Sequence, residues 1–201
     1  LLYRMAGVKR RFSVLLGGPE GSEARHSVFP PPAHDGDPGP GIGQRMDLYE
    51  RHSVPLAVTA AGEALEDAGV SPQDITHLIT VSCSGFTAPG VDVAIIKQLG
   101  LAPTVLRTHV GFMGCHGALN ALRVAHGLAL ANRKARVLIC CVELCSLHMQ
   151  FGWDLNNILG SALFADGAAA LVAANDDSNA QPAWRLTATG SSIIPHSRDA
   201  I

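Results

Sequence analysis

Three observations predict an α/β protein with a mostly parallel or mixed sheet and helices on both of its faces. Helical and strand patterns alternate from residue 56 to residue 194. Two strand candidates, HLITVSC at 77–83 and VLICCVELC at 137–145, are apolar nearly throughout, as strands covered on both faces are. Aromatic residues make up only 5% of the chain while glycine numbers 21, a balance suited to close helix-on-sheet packing rather than to an aromatic-rich sandwich.

The elements follow in order. Leu56, Ala60, Ala64, Leu65 and Ala68 recur at helical spacing, and Gly69 ends that helix. Ser71, Pro72 and Asp74 form a turn before the strand at 77–83. Residues 90–99 read as a helix stopped by Gly100, and 104–110 as a second strand. A helix rich in small residues spans 115–131, and the third strand is 137–145. A short helix at 155–163 precedes strands at 167–174 and 184–194, joined by a polar turn at 175–181. The order α-β-α-β-α-β-α-β-β is that of a sheet wound with crossover helices. Ahead of it, residues 17–43 are rich in Gly and Pro, including Phe29-Pro30-Pro31-Pro32, and predict an exposed irregular segment. The chain therefore divides into an N-terminal segment, 1–44, and a main domain, 45–201.

Size and charge narrow the function. With 201 residues there is room for one sizeable core, or at most two small ones. Hydrophobic residues at 47% and mean hydropathy of +0.21 exclude a disordered chain. Lys+Arg 15 against Asp+Glu 17 leaves no basic surplus for a nucleic-acid backbone. No stretch approaches the roughly 20 apolar residues that span a bilayer. Arg4, Lys9, Arg10 and Arg11 interrupt the first apolar run, so no secretory leader is expected. The five cysteines include adjacent Cys140 and Cys141, whose side chains point to opposite faces of a strand. That is no disulfide framework, and a cytoplasmic location is expected.

Chemistry concentrates at Gly111-Phe112-Met113-Gly114-Cys115-His116-Gly117, between a predicted strand and a predicted helix. An α/β fold exposes reactive atoms there, at the carboxyl end of its sheet. Gly114 and Gly117 allow a tight turn and a close approach of helix to strand. Cys115 falls in the first turn, where free backbone N–H groups and the helix dipole favour a thiolate nucleophile. Position alone leaves open a small buried cysteine with no chemistry. It also leaves open a hydrolase nucleophile, although Met113 stands where the elbow of that class has glycine.

The remaining candidates are weighed the same way. Cys140, Cys141, Cys145 and His148 lack the paired spacing of a zinc site and read as packing, so no metal is expected. Cys83, Cys115 and Cys145 all fall at one end of parallel strands and are expected to converge on one cavity. Glu143 lies inside an apolar strand and needs hydrogen-bond partners. Asp166-Gly167 reads as a turn whose aspartate bonds nearby backbone N–H groups. His109 and His116 neighbour Cys115 in sequence only, since adjacent helical side chains diverge by about 100°.

Four ordered motifs then become familiar. They are Val81-Ser82-Cys83-Ser84-Gly85-Phe86 followed by Pro89-Gly90; Gly114-Cys115-His116-Gly117; Val142-Glu143-Leu144-Cys145-Ser146; and Ala162-Leu163-Phe164-Ala165-Asp166-Gly167-Ala168-Ala169-Ala170. Together they resemble the type III polyketide synthases, the chalcone and stilbene synthase relatives, and among them the bacterial branch, from about residue 45 to about residue 195. The resemblance implies a thiolase-like fold built from two similar halves, of which this chain is the amino-terminal one, and a cytoplasmic homodimer. It implies an acyltransferase that condenses malonyl-CoA onto an acyl-CoA starter, with CoA thioesters as substrates and no further cofactor.

Residue by residue, the resemblance makes Cys115 the nucleophile that holds starter and growing chain. It makes Cys83, Ser84, Cys145 and His148 cavity residues and Phe164 the aromatic gatekeeper. Lys9, Arg10 and Arg11 resemble a basic stretch that contacts CoA phosphates, although a solvated basic face accounts for them equally well. Ala88 stands where plant members have a methionine that reaches into the partner subunit, so that intrusion is lost here. The family's catalytic histidine and asparagine lie beyond residue 201. Two other readings remain open at this point: a ketoacyl synthase that primes fatty-acid synthesis on acyl carrier protein, and a truncated CoA-binding or subunit-pairing fragment without catalysis.

Overall fold

A computed structural model describes residues 2–16, 28–175 and 184–196. Five helices and four strands follow in order: α1 (Leu2–Met5), α2 (Ile42–Ala68), β1 (His77–Ser82), α3 (Val91–Leu99), β2 (Leu106–Gly111), α4 (Gly117–Ala131), β3 (Arg136–Leu144), α5 (Leu155–Leu163) and β4 (Asp166–Ala174). The strands form one sheet in the order β2-β1-β3-β4. β1 is parallel to β2 and to β3, while β4 runs antiparallel to β3. The sheet is therefore mixed, with three parallel strands and an antiparallel edge.

Alternation along the central strands decides which helix each residue meets. Leu78, Leu138, Cys140 and Val142 pack on Ala57, Ala61 and Leu65 of α2 and on Val91 and Ile95 of α3. Ile79, Val81, Val137 and Ile139 face the other way, onto Ala121 and Ala125 of α4. Both faces of β1 and β3 are thus covered, which is why those strands read as continuous apolar runs. Cys140 and Cys141 do divide between the two faces, Cys140 in the first cluster and Cys141 against the second.

α2 starts at Ile42, well ahead of the apolar spacing that announces it, and continues through Pro55. Proline removes one backbone hydrogen bond and crowds the preceding turn. Burial compensates on both sides, since Ser53 and Ala57 are fully enclosed. A stripe at every fourth residue, Arg45, Tyr49, Ser53, Ala57, Ala61 and Leu65, carries the buried face.

Two expectations are corrected here. The strand predicted at 184–194 does not form; the described residues there adopt no regular structure, and Trp184 and Ile193 are almost fully exposed. An apolar run becomes a strand only where another strand pairs with it, and none among the described residues does. The Gly- and Pro-rich segment is irregular where described, but it is not wholly exposed. Phe29 is buried with Leu15, Tyr49, Leu144 and Leu147 in a third cluster. Residues 17–27 and most of the turn expected at 175–181 lie outside the described residues.

The close approach of α4 to β1 rests on Gly117. A Cβ at that position would stand 2.8 Å from Val81 Cγ1, a β-branched side chain with little freedom to yield. Gly117→Ala is expected to destabilise the fold by about 1–3 kcal/mol, the usual range for overpacking. A urea titration that leaves the midpoint unchanged would show that α4 does not need this contact.

Candidate active site

The carboxyl ends of β1, β2 and β3 deliver Cys83, Cys115 and Cys145 to one edge of the sheet. Cys83 follows β1 directly. Cys115 sits in a single 3-10 turn, Gly114–His116, between β2 and α4. Gly114 takes a positive φ of 66°, which lets the chain reverse into that turn. The Cys83 thiol donates to the Gly114 carbonyl at 3.6 Å, so the end of β1 touches the turn that carries Cys115. Cys145 opens a 3-10 turn, Cys145–His148, directly after β3.

The three thiols meet different surroundings. Cys115 is exposed, while Cys83 and Cys145 are half-buried. Burial, then the charges of Glu143, Asp166 and Cys115, push the Cys145 thiol up to about 11. Burial also pushes Cys140 up to about 12. Both therefore stay protonated near neutral pH and make poor nucleophiles.

Glu143 is the organising charge. The register that pairs Val81 with Cys141 carries Glu143 across from Cys83. Its carboxylate accepts from Cys83 N at 2.8 Å, from Ser84 N at 2.8 Å and from the Ser84 hydroxyl. Ser84 Oγ in turn accepts from Leu144 N at 2.7 Å. Its carbonyl accepts from the His148 ring Nε2. The buried Ser84 side chain is thus held in the strand-end knot. Tyr49 extends the arrangement by donating to Ser82 Oγ at 2.7 Å.

A cleft of about 360 Å³ opens beside this knot, with Arg11, Cys145, His148, Asn156 and Phe164 among its walls. Phe164 follows α5, is half exposed and borders the cleft. Cys83, Ser84 and Cys115 do not line it. The expected convergence of three cysteines therefore holds for the sheet edge and not for the enclosed space. Arg11 donates to the Ala162 carbonyl at 2.9 Å. Lys9 and Arg10 are exposed just upstream. His109 is hydrogen-bonded to Thr80 Oγ1 at 2.9 Å, and His116 precedes α4 without a side-chain capping bond. Among the described residues no group of side chains is arranged to hold a metal ion, and no helix is long and apolar enough to cross a membrane.

Sequence reasoning missed one residue that shapes this site and gave another, Asp166, the wrong partners. Arg45 donates to the carbonyls of Leu147, Met149 and Pro40, and its guanidinium lies 5.1 Å from the Phe29 ring centre. It fixes the turn that presents Cys145 and His148. Its place on the four-residue stripe with Tyr49 and Ser53 was the available signal. Asp166 bonds to residues far away in the chain rather than to a local turn, and no local pattern announces that.

Residues 31–177 match the family described as chalcone and stilbene synthases, N-terminal domain. A relative from Mycobacterium tuberculosis, the alpha-pyrone synthesis polyketide synthase-like Pks18, is 44% identical over 131 residues, which are 65% of this chain and 33% of that protein. The chain thus spans about a third of the length of such curated relatives. The crystal structure of 1,3,6,8-tetrahydroxynaphthalene synthase from Streptomyces coelicolor, a bacterial type III polyketide synthase, superposes with a TM-score of 0.73 at 32% identity, covering 80% of this chain and 45% of that one. The C-terminal type III polyketide synthase domain of Steely1 from Dictyostelium gives 0.64 at 36% identity, covering 65% and 36%.

Glu143→Gln tests the electrostatics. Removing a negative charge favours the thiolate of Cys145, so its pKa is expected to fall from about 11. Burial, the largest cause, remains and keeps it above the ordinary thiol value. The pH at which iodoacetamide reaches half its maximal rate on Cys145, followed by peptide mass spectrometry, should move down. No movement, or movement upward, would contradict the assigned cause.

Proposed function

The chain belongs to the chalcone and stilbene synthase family as its N-terminal domain, with one half of the thiolase-like fold, and from that premise we propose that Cys115 is the acyl-carrying nucleophile of a type III polyketide synthase. One observation carries the reading: Cys115 is the exposed cysteine, held on a turn between the end of a parallel strand and the N-terminus of α4. The free amides at such a helix start suit an anion.

The thiolate attacks the carbonyl carbon of an acyl-CoA starter, and the CoA thiolate leaves. Malonyl-CoA then loses carbon dioxide, and the resulting enolate carbon attacks the Cys115 thioester. The Cys115 sulfur is released, and the chain, longer by two carbons, is left on CoA. Transfer back to Cys115 permits another round. The developing enolate needs hydrogen-bond donors or a histidine to stabilise it. In this reading the other half of the fold supplies them. Cys145, His148 and Phe164 border the space in which the chain grows, and their bulk sets how far it extends. The working protein in this reading is a cytoplasmic homodimer.

The test uses the full-length protein with malonyl-CoA and a series of acyl-CoA starters. Iodoacetamide is expected to label Cys115 before the other cysteines and to stop condensation in step with that labelling. Cys115→Ala is expected to lower turnover by at least about a thousandfold, as loss of a covalent nucleophile does. Undiminished turnover by that variant would refute the reading. Extension that requires malonyl groups on acyl carrier protein would replace it with a ketoacyl synthase.

A further inference from the structure

Asp166, the first residue of β4, ties three separate pieces of chain together. Its carboxylate accepts from Val14 N at 2.8 Å, from Ser146 N at 2.7 Å and from Ser146 Oγ at 2.6 Å. Its own amide donates to the Phe12 carbonyl at 2.9 Å. Ser13 Oγ adds a further link by donating to Ser146 Oγ at 2.9 Å. One strand end therefore holds the segment 12–14, the turn after β3 and the entry to β4.

These pieces are the walls of the cleft. Arg11, Phe12 and Ser13 form one side; Cys145 and Ser146 form another; Phe164 stands two residues before Asp166. The basic residues Lys9, Arg10 and Arg11 lead directly into the tethered segment. The Cys115 turn follows β2, at the opposite edge of the sheet from β4. A carboxylate placed this way governs where the basic run lies relative to the cleft.

We propose that Asp166 is a positioning residue for recognition of the nucleotide end of the CoA thioester. It holds residues 12–14 against β4, and so fixes the approach of Lys9, Arg10 and Arg11 to the phosphates. The chemistry at Cys115 proceeds without it. The proposal rests on the polyketide synthase reading.

The experiment compares an acyl-CoA starter with the matching acyl N-acetylcysteamine thioester in the full-length protein. The second substrate keeps the reacting carbonyl and sulfur and lacks the nucleotide. Asp166→Asn keeps the side-chain shape, but its amide group turns a donor toward donors. KM for the acyl-CoA is expected to rise about tenfold, on the scale of one charge-assisted hydrogen bond. KM for the short thioester and kcat for both should stay within about twofold. Ser146→Ala, which removes a single link, should give the same selectivity with a smaller rise, and it decides the matter alone if Asp166→Asn does not fold. Equal rises for both substrates, or no rise for either, would overturn the proposal. A wild-type protein that turns over neither substrate would refute the polyketide synthase reading itself, and the positioning role with it.

Discussion

The site depends on one carboxylate set between Val142 and Leu144 in an otherwise largely apolar strand. Glu143 holds the backbone amides of Cys83 and Ser84 and the Ser84 hydroxyl, joining the ends of β1 and β3. Hydrogen bonds to a charged group contribute about 1.5–3 kcal/mol each, and leaving their donors unmet costs a similar amount. The ion pairs Arg107–Asp92 at 2.9 Å and Arg136–Asp74 at 2.8 Å each include a substantially exposed partner. Exposed pairs of that kind contribute at most about 1 kcal/mol. The Glu143 cluster, and not the surface charges, therefore sets the geometry of the strand ends.

The same charge helps to sort the cysteines. Burial and Glu143 together keep Cys145 protonated, and burial alone does most of the work at Cys140. A thiol that resists ionisation can line a cavity without competing for an electrophile. Cys115 itself lies on an exposed turn. Burial, joined at Cys141 and Cys145 by the charge of Glu143, thus pushes three of the thiols up.

Much of the frame was legible in the sequence, because periodicity reports burial and the buried faces here are large. Residues 155–163 form the predicted helix at the predicted bounds, and β1 and β3 fall within one residue of expectation. Gly117 was readable as a contact point because strand-to-helix turns of this type crowd the backbone. What escaped was long-range. Asp166 bonds to Val14, 152 residues away, and Arg45 bonds to Met149, 104 residues away. An aspartate before glycine looks like a turn whichever distant amide it meets. Residues 184–194 failed for the converse reason: their apolar residues suit a strand, but pairing needs a neighbour that composition does not supply.

Register links these observations. β1 and β3 align Val81 with Cys141, and two residues further the same alignment brings Glu143 to Cys83. β3 and β4 align Leu144 with Asp166, which brings the second carboxylate to Ser146. A slip of one residue between β1 and β3 would turn Leu138 and Cys140 toward α4, away from α2 and α3, and would carry Glu143 away from both amides. Core packing and the hydrogen-bond knot therefore select the same alignment. The apolar faces fix the strands to within one residue, and that precision places two carboxylates where the chain ends need an acceptor. The position of the Cys115 turn follows from it, because β2 pairs with β1 through Ser82 and Gly111, and the Cys83 thiol then reaches the Gly114 carbonyl.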